Sequence, residues 1–171
     1  HLSLRRQRQM CIRDSLIPHP TETYTIGSGK GDYEKAHIPG ADFLDLQQEL
    51  SNNSSKLRFT FPSAEHFSKA IGAHGLSNDN QAILYSTTSP QWATRIWWML
   101  RAFGFNNAKV LDGGLIRWMQ KGYPTSNIPS TYPQQSFTAR PRPGLIIQKS
   151  EVLEGIHESN TCCLLYTSPS P

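Results

Sequence analysis

Apolar and polar positions along the chain change period several times, and each change marks an element. In "QAILY", Gln81–Tyr85, a short apolar run is bounded by polar residues, the pattern of a buried strand. A polar loop follows at residues 86–89. Beyond it Trp92, Ile96, Met99, Leu100 and Phe103 recur at helical spacing, with Trp97 widening the stripe. The pattern predicts a helix over 90–103, because Pro90 suits a first helical turn and Gly104 ends the run. "AKVL", residues 108–111, repeats the strand pattern. "DGG", residues 112–114, then turns into a helix over 115–121 that Gly122 closes. Upstream, Ser63 is a good N-cap for a helix running to about Ala73, with Phe67, Ala70 and Ile71 on one face and Gly75 just past its end.

Between these elements the periodicity fades. Residues 16–31 are polar, include Pro18, Pro20, Gly27 and Gly29, and read as a loop. Residues 32–36 suit a single helical turn, ended by the turn-forming "HIPGA" of 37–41. Residues 42–46 are a short strand or extended segment, and 47–62 are loop-like. Residues 123–144 hold five prolines and read as a linker, after which Ser150 caps a helix over 151–157. Strand, helix, strand and helix in succession between Gln81 and Lys121 form one right-handed crossover unit. The class this predicts is α/β with a parallel sheet.

The two ends behave unlike everything between them. Read back into codons, Gln9 to Ser15 gives CAG ATG TGT ATA AGA GAC AG, and Cys163 to Ser168 gives TGT CTC TTA TAC ACA TCT. The second is the reverse complement of the first over AGATGTGTATAAGAGACA, the transposase-end adapter of a sequencing library. Protein ends have no physical reason to be complementary as DNA. The expectation is that residues 1–15 and 163–171 are translated adapter, and fold reasoning proceeds without them. The 171-residue chain then reads as a gene fragment. Dropping these ends lowers Lys+Arg from 17 to 13 and Asp+Glu from 13 to 12, so the net charge falls from +4 to +1. The basic balance is then no argument for nucleic acid or an anionic membrane. Cys11 and Cys163 go as well, leaving Cys162 at the junction, which excludes a disulfide scaffold or a cysteine-ligated metal site. The histidines show no i, i+4 or short-loop pairing, so no metal is expected, and no cofactor. No apolar run approaches the ~20 residues of a membrane span.

A strand-to-helix loop such as 86–89 is where many α/β enzymes hold a nucleophile or an anion, because helix N-terminal amides converge there. This one offers Ser86, Thr87, Thr88 and Ser89, with no cysteine, histidine or glycine. A serine-hydrolase elbow would need Gly-x-Ser-x-Gly.

"DYEKAHIPGADFLDL", "AILYSTTSPQWATRIWWMLRAFGFNNAKVLDGGLIRWMQKGYP" and the order between them resemble the rhodanese family. More narrowly they are similar to the N-terminal domain of the tandem-domain sulfurtransferases that use thiosulfate or 3-mercaptopyruvate. The resemblance covers about residues 33–162. It implies a parallel five-stranded sheet with helices on both faces, whose first strand is missing from this fragment. It also implies a catalytic cysteine in the loop after a central strand, which carries sulfane sulfur as a persulfide to cyanide or a thiol. That cysteine position falls on Ser86, so no catalytic residue is expected here and the substrate-binding residues are unknown. The cysteine is expected in a second rhodanese domain beyond the cut, acting in cis.

The domain plan is therefore a rhodanese-like domain over 16–124, a Pro-rich interdomain linker over 125–149 and the start of a second rhodanese domain at 150–162. Its partners would be a small sulfur donor and a thiol or cyanide acceptor, with neither nucleic acid nor membrane, and its placement cytoplasmic. Two rivals are a stand-alone inactive rhodanese module with a binding or regulatory role, and a rhodanese-like phosphatase. The phosphatase rests on the Ser89-x5-Arg95 spacing and lacks the thiolate that chemistry requires. His37 is expected to anchor its turn, Asp112 to cap the following helix, and Arg95 and Arg101 to form salt bridges. Trp92, Trp97 and Trp98 are expected in the core, with one turned toward the second domain.

Overall fold

A computed structural model describes residues 7–11, 14–17, 25–87 and 89–161. Its elements run β1 (Gln7–Cys11), β2 (Asp14–Ile17), β3 (Thr25–Ser28), α1 (Lys30–Lys35), β4 (Ala41–Phe43), α2 (Ala64–Ala73), β5 (Gln81–Tyr85), α3 (Pro90–Ala102), β6 (Ala108–Val110), α4 (Gly114–Gln120) and α5 (Lys149–Gly155). Four strands form a parallel sheet in the order β4-β1-β5-β6, and β2 and β3 make a separate antiparallel pair. The chain divides into two compact units, 1–141 and 142–171.

Strand β5 shows why helices cover both faces of this sheet. Successive side chains of a strand point to opposite faces. Leu84 enters a core built from Phe67 and Ile71 of α2 and Ile96, Met99 and Leu100 of α3. Its neighbour Tyr85 enters a second core with Tyr33 of α1, Ala41 and Leu115 of α4. The α/β class is as the pattern predicts, and α2 and α3 follow their predicted bounds to within a residue. Ser63 caps α2 by accepting the His66 amide at 3.1 Å.

Four expectations are corrected. The sheet was expected without its first strand, and residues 1–15 were set aside from the fold. Instead Gln7–Cys11 lies between β4 and β5, with Gln9 opposite both Ala41 and Ile83. The two flanking strands present rows of backbone donors and acceptors that must be paired, and a ladder reads backbone rather than side chains, so any extended segment of suitable length satisfies it. The DNA origin of those residues is a separate matter that pairing does not test. Second, four parallel strands are seen among the described residues, against the five that the family resemblance implies for a complete sheet. Third, the loop expected over 16–31 contains β3 and the end of β2, where Leu16 and Ile26 stand opposite each other in an antiparallel ladder. Fourth, α5 starts one residue before Ser150 and is capped by Gln148, whose amide donates to Glu151 Oε2 at 2.7 Å in a capping box.

The stretch read as a linker also divides. Residues 126–140 belong to the first unit, where Phe137, 6% exposed, joins the α2/α3 core. In the second unit, α5 buries no residue and exposes Val152 and Leu153, and its C-cap Ile156 is exposed too.

Candidate functional site

The loop after β5 is held open by its neighbours. Ser86 is 5% exposed, and its hydroxyl donates to the Ser89 carbonyl at 2.6 Å. The Ser86 carbonyl accepts the Leu115 amide at 3.1 Å, which seats the "DGG" turn on the loop. Gly114 is required there: its φ is +54°, and a Cβ would run into the Ser86 carbonyl oxygen. A cavity of about 250 Å³ remains between Ser86, Thr87, Pro90, Asp112 and Gly113. The Thr87 hydroxyl is buried without a hydrogen-bond partner among the described residues. Thr88 lies outside the described residues.

Chemically the pocket offers two hydroxyls, one exposed carboxylate and the N-terminus of a 13-residue helix. A serine hydroxyl near neutral pH is not a thiolate, and Ser86 already donates its proton within its own loop. Asp112 lines the cavity but does not cap α4, whose N-cap is the left-handed Gly113 with no side-chain cap bond.

Arg95 does not line this cavity. Its Nη2 donates to the Phe59 carbonyl at 2.9 Å, and its guanidinium carbon lies 4.8 Å from the Phe61 ring centroid. Burial pushes the Arg95 guanidinium below its ordinary pKa. Arg101 stands 5.7 Å from the Trp97 ring. Among the described residues, Arg95 is held by a carbonyl and a ring and Arg101 by a ring, not by the surface salt bridges expected of them. Nor does the Ser89-x5-Arg95 spacing bring the arginine to the Ser86 loop. Trp92 and Trp97 are half-buried and pack against the α2/α3 core, and Trp98 is half-buried.

His37 is fully buried, with Nδ1 2.7 Å from the Tyr33 carbonyl and Nε2 3.0 Å from the Ile128 carbonyl. It ties the "HIPGA" turn to the 126–140 stretch and does not reach the Ser86 cavity.

Sequence reading missed one cluster altogether. His74, at the C-cap of α2, lies between Asp42 and Glu49, with Nδ1 2.7 Å from Asp42 Oδ2 and Nε2 3.0 Å from Glu49 Oε1. Burial pushes the imidazolium down, but hydrogen bonds and charge from the two carboxylates outweigh it and raise its pKa to about 9. Glu49 is pushed up by burial and pulled further down by His74, the Asp45 amide and Lys30, ending below the usual carboxylate range. The partners stand 32 and 25 positions from His74, so no local signal marks them. No three metal-ligating side chains cluster to hold an ion among the described residues.

A profile described as the rhodanese-like domain matches residues 28–121. The chain belongs to the rhodanese-like family. It is 33% identical to a thiosulfate sulfurtransferase of Cricetulus griseus and 34% to a 3-mercaptopyruvate sulfurtransferase of Rattus norvegicus, each over 127 residues. Both matches cover 73% of this chain and 42% of the relative, so the chain spans about two fifths of the length of these relatives. Among solved structures, the 3-mercaptopyruvate sulfotransferase SseA of Escherichia coli superposes with a TM-score of 0.79 at 28% identity, over 90% of this chain and 56% of that one. The rhodanese fold and its sulfurtransferase relatives are thereby established. No helix among the described residues is long and apolar enough to cross a membrane.

Proposed function

We propose that this rhodanese-like chain is the non-catalytic N-terminal part of a tandem-domain sulfurtransferase. The parent enzyme would move sulfane sulfur from thiosulfate or 3-mercaptopyruvate to a thiol or cyanide, through a cysteine persulfide in a second rhodanese domain. One observation carries this reading. The loop that would carry the sulfur-bearing residue has Ser86, buried and bonded to Ser89 O, at that position. An oxygen there cannot cycle through a persulfide, because an O–S adduct is not a sulfane-sulfur carrier. The matched relatives are more than twice as long as the aligned region, which supports a further half. In this reading the first domain supplies a wall of the interdomain cleft and a packing surface, and Trp98, which keeps part of its ring exposed, is available to that surface.

Two measurements test it. The 171-residue chain should show no cyanide-dependent turnover of thiosulfate, and turnover that Ser86→Ala abolishes would overturn the assignment. The genomic sequence downstream of Cys162 should encode a second rhodanese domain with a cysteine-led loop. A stop codon there would instead leave a stand-alone inactive module.

A further inference from the structure

The prolines of residues 126–140 suggest a spacer, yet the backbone of this stretch is bonded to the first unit along its length. His37 and Ser126 exchange two backbone hydrogen bonds of 2.8 Å. The Ser130 amide donates to the Tyr33 hydroxyl at 3.1 Å, and the Tyr132 hydroxyl donates to the Gly40 carbonyl. The Gln135 amide donates to the Gly72 carbonyl at 2.9 Å, and the Arg140 amide to the Phe103 carbonyl at 2.8 Å. Asn78 bonds both polar groups of the Thr138 backbone, at 2.7 and 3.1 Å, and Ser68 Oγ accepts the Ala139 amide at 2.9 Å.

Side chains and clearances complete the seat. Phe137 enters between Phe67 and Phe105, with ring centroids 6.1 and 5.7 Å away. Where the stretch passes closest, the surface carries glycine. A Cβ on Gly72 would lie 2.5 Å from the Gln135 carbonyl oxygen, and one on Gly75 would lie 2.5 Å from Tyr132 Cβ. Gly72 is the telling one. It sits inside α2 with ordinary helical geometry, where alanine would favour the helix by about 1 kcal/mol. Only the passing strap gives that position a reason to lack a side chain.

We propose that the first unit contains a groove for an extended peptide with aromatic residues five positions apart, and that residues 126–140 are its built-in occupant. The stretch is a strap that completes the domain. Taken with the tandem reading under Proposed function, this leaves only residues 142–148 as spacer before α5. The strap itself does not depend on a second domain.

Hydrogen exchange of the full 171-residue chain, read by mass spectrometry, tests this. Amides at 130, 135 and 138–140 should exchange at least about 100-fold more slowly than those at 145–147. Gly72→Ala should lower strap protection by about tenfold or more while the amides of α2 keep theirs. Asn78→Ala, at an exposed position outside the core, should do the same at 138 and 139, and it decides the matter if Gly72→Ala fails to fold. The proposal is overturned if 130–140 exchange as fast as 145–147, or if a folded Gly72→Ala chain keeps full strap protection. A chain with no second domain downstream gives the same exchange result, so the two readings fail separately.

Discussion

Two polar clusters in the first unit are built in opposite ways. Around His74 the polar atoms close on one another: both ring nitrogens meet carboxylates, the other oxygen of Asp42 accepts the Phe43 amide, and the other oxygen of Glu49 accepts the Asp45 amide. Around Ser86 the polar atoms surround a cavity of about 250 Å³, and the Thr87 hydroxyl has no partner among the described residues. The carboxylates of the first cluster are committed to the imidazole and to backbone amides, and these bonds tie α2 to the segments that carry Asp42 and Glu49. A loop with an open cavity and an unpaired hydroxyl has the shape of a binding site without its reacting atom. Charge density alone would have ranked the two the other way round.

The largest effect should come from breaking the closed cluster. His74→Ala leaves two partly buried carboxylates facing each other, and should cost about 2 to 3 kcal/mol in urea unfolding, below the range for fully buried pairs because the Glu49 side chain is 39% exposed. The cluster also sets a pH dependence. The folded pKa of His74, about 9, lies above its unfolded value of roughly 6.5, so its contribution is complete below about pH 6.5 and is lost as pH rises through about 9. Glu49 works in the other direction: its lowered pKa stabilises the fold at neutral pH, and that share disappears as pH falls through the folded value. His74→Ala should therefore flatten the alkaline decline in stability. A variant that loses under about 1 kcal/mol and keeps the slope would place the cluster with ordinary surface pairs.

A middle-sized effect is expected where the open loop is seated. Gly114→Ala must hold a positive φ and push its Cβ against the Ser86 carbonyl. A cost of about 2 kcal/mol in thermal unfolding follows from strained positions of this kind. If the substitution is neutral, the turn does not brace the loop, and the contrast with the His74 cluster loses one side.

What the sequence shows of this fold depends on how far apart the interacting residues stand. Helix α3 was readable because Ile96, Met99 and Leu100 report their own burial through spacing of three and four, and α2 because Ser63 caps a helix that begins at the next residue. The Ser86 loop was located by the strand and helix that flank it. The bonds that escaped join distant segments: His74 to Asp42 across 32 positions, His37 to Ile128 across 91, and Tyr33 to Ser130 across 97. Prolines made 126–140 look like a spacer, since they report only that the stretch is neither helix nor central strand. Extended chain that lies in a groove and chain that spans solvent have the same local composition. The β1 strand was lost because residues 1–15 were set aside as translated adapter, and Gln7–Cys11, unlike QAILY, has no apolar run to mark it.

The smallest expected effect is the most discriminating for the open loop. The Thr87 hydroxyl is buried without a hydrogen-bond partner among the described residues, so Thr87→Val removes a polar atom that none of them bonds and keeps the shape of the side chain. Losing an unsatisfied buried hydroxyl should leave stability unchanged or raise it by up to about 1 kcal/mol. Ser86→Ala is the internal control: it deletes the 2.6 Å bond to Ser89 O and should cost about 1 kcal/mol. The two substitutions are one residue apart and each removes a single hydroxyl, so a shift in the urea midpoint of opposite sign isolates the bond from the burial. If Thr87→Val were instead the more damaging of the two, the Thr87 hydroxyl would have a partner in solution. The hydroxyls of the loop would then be as fully bonded as the His74 cluster.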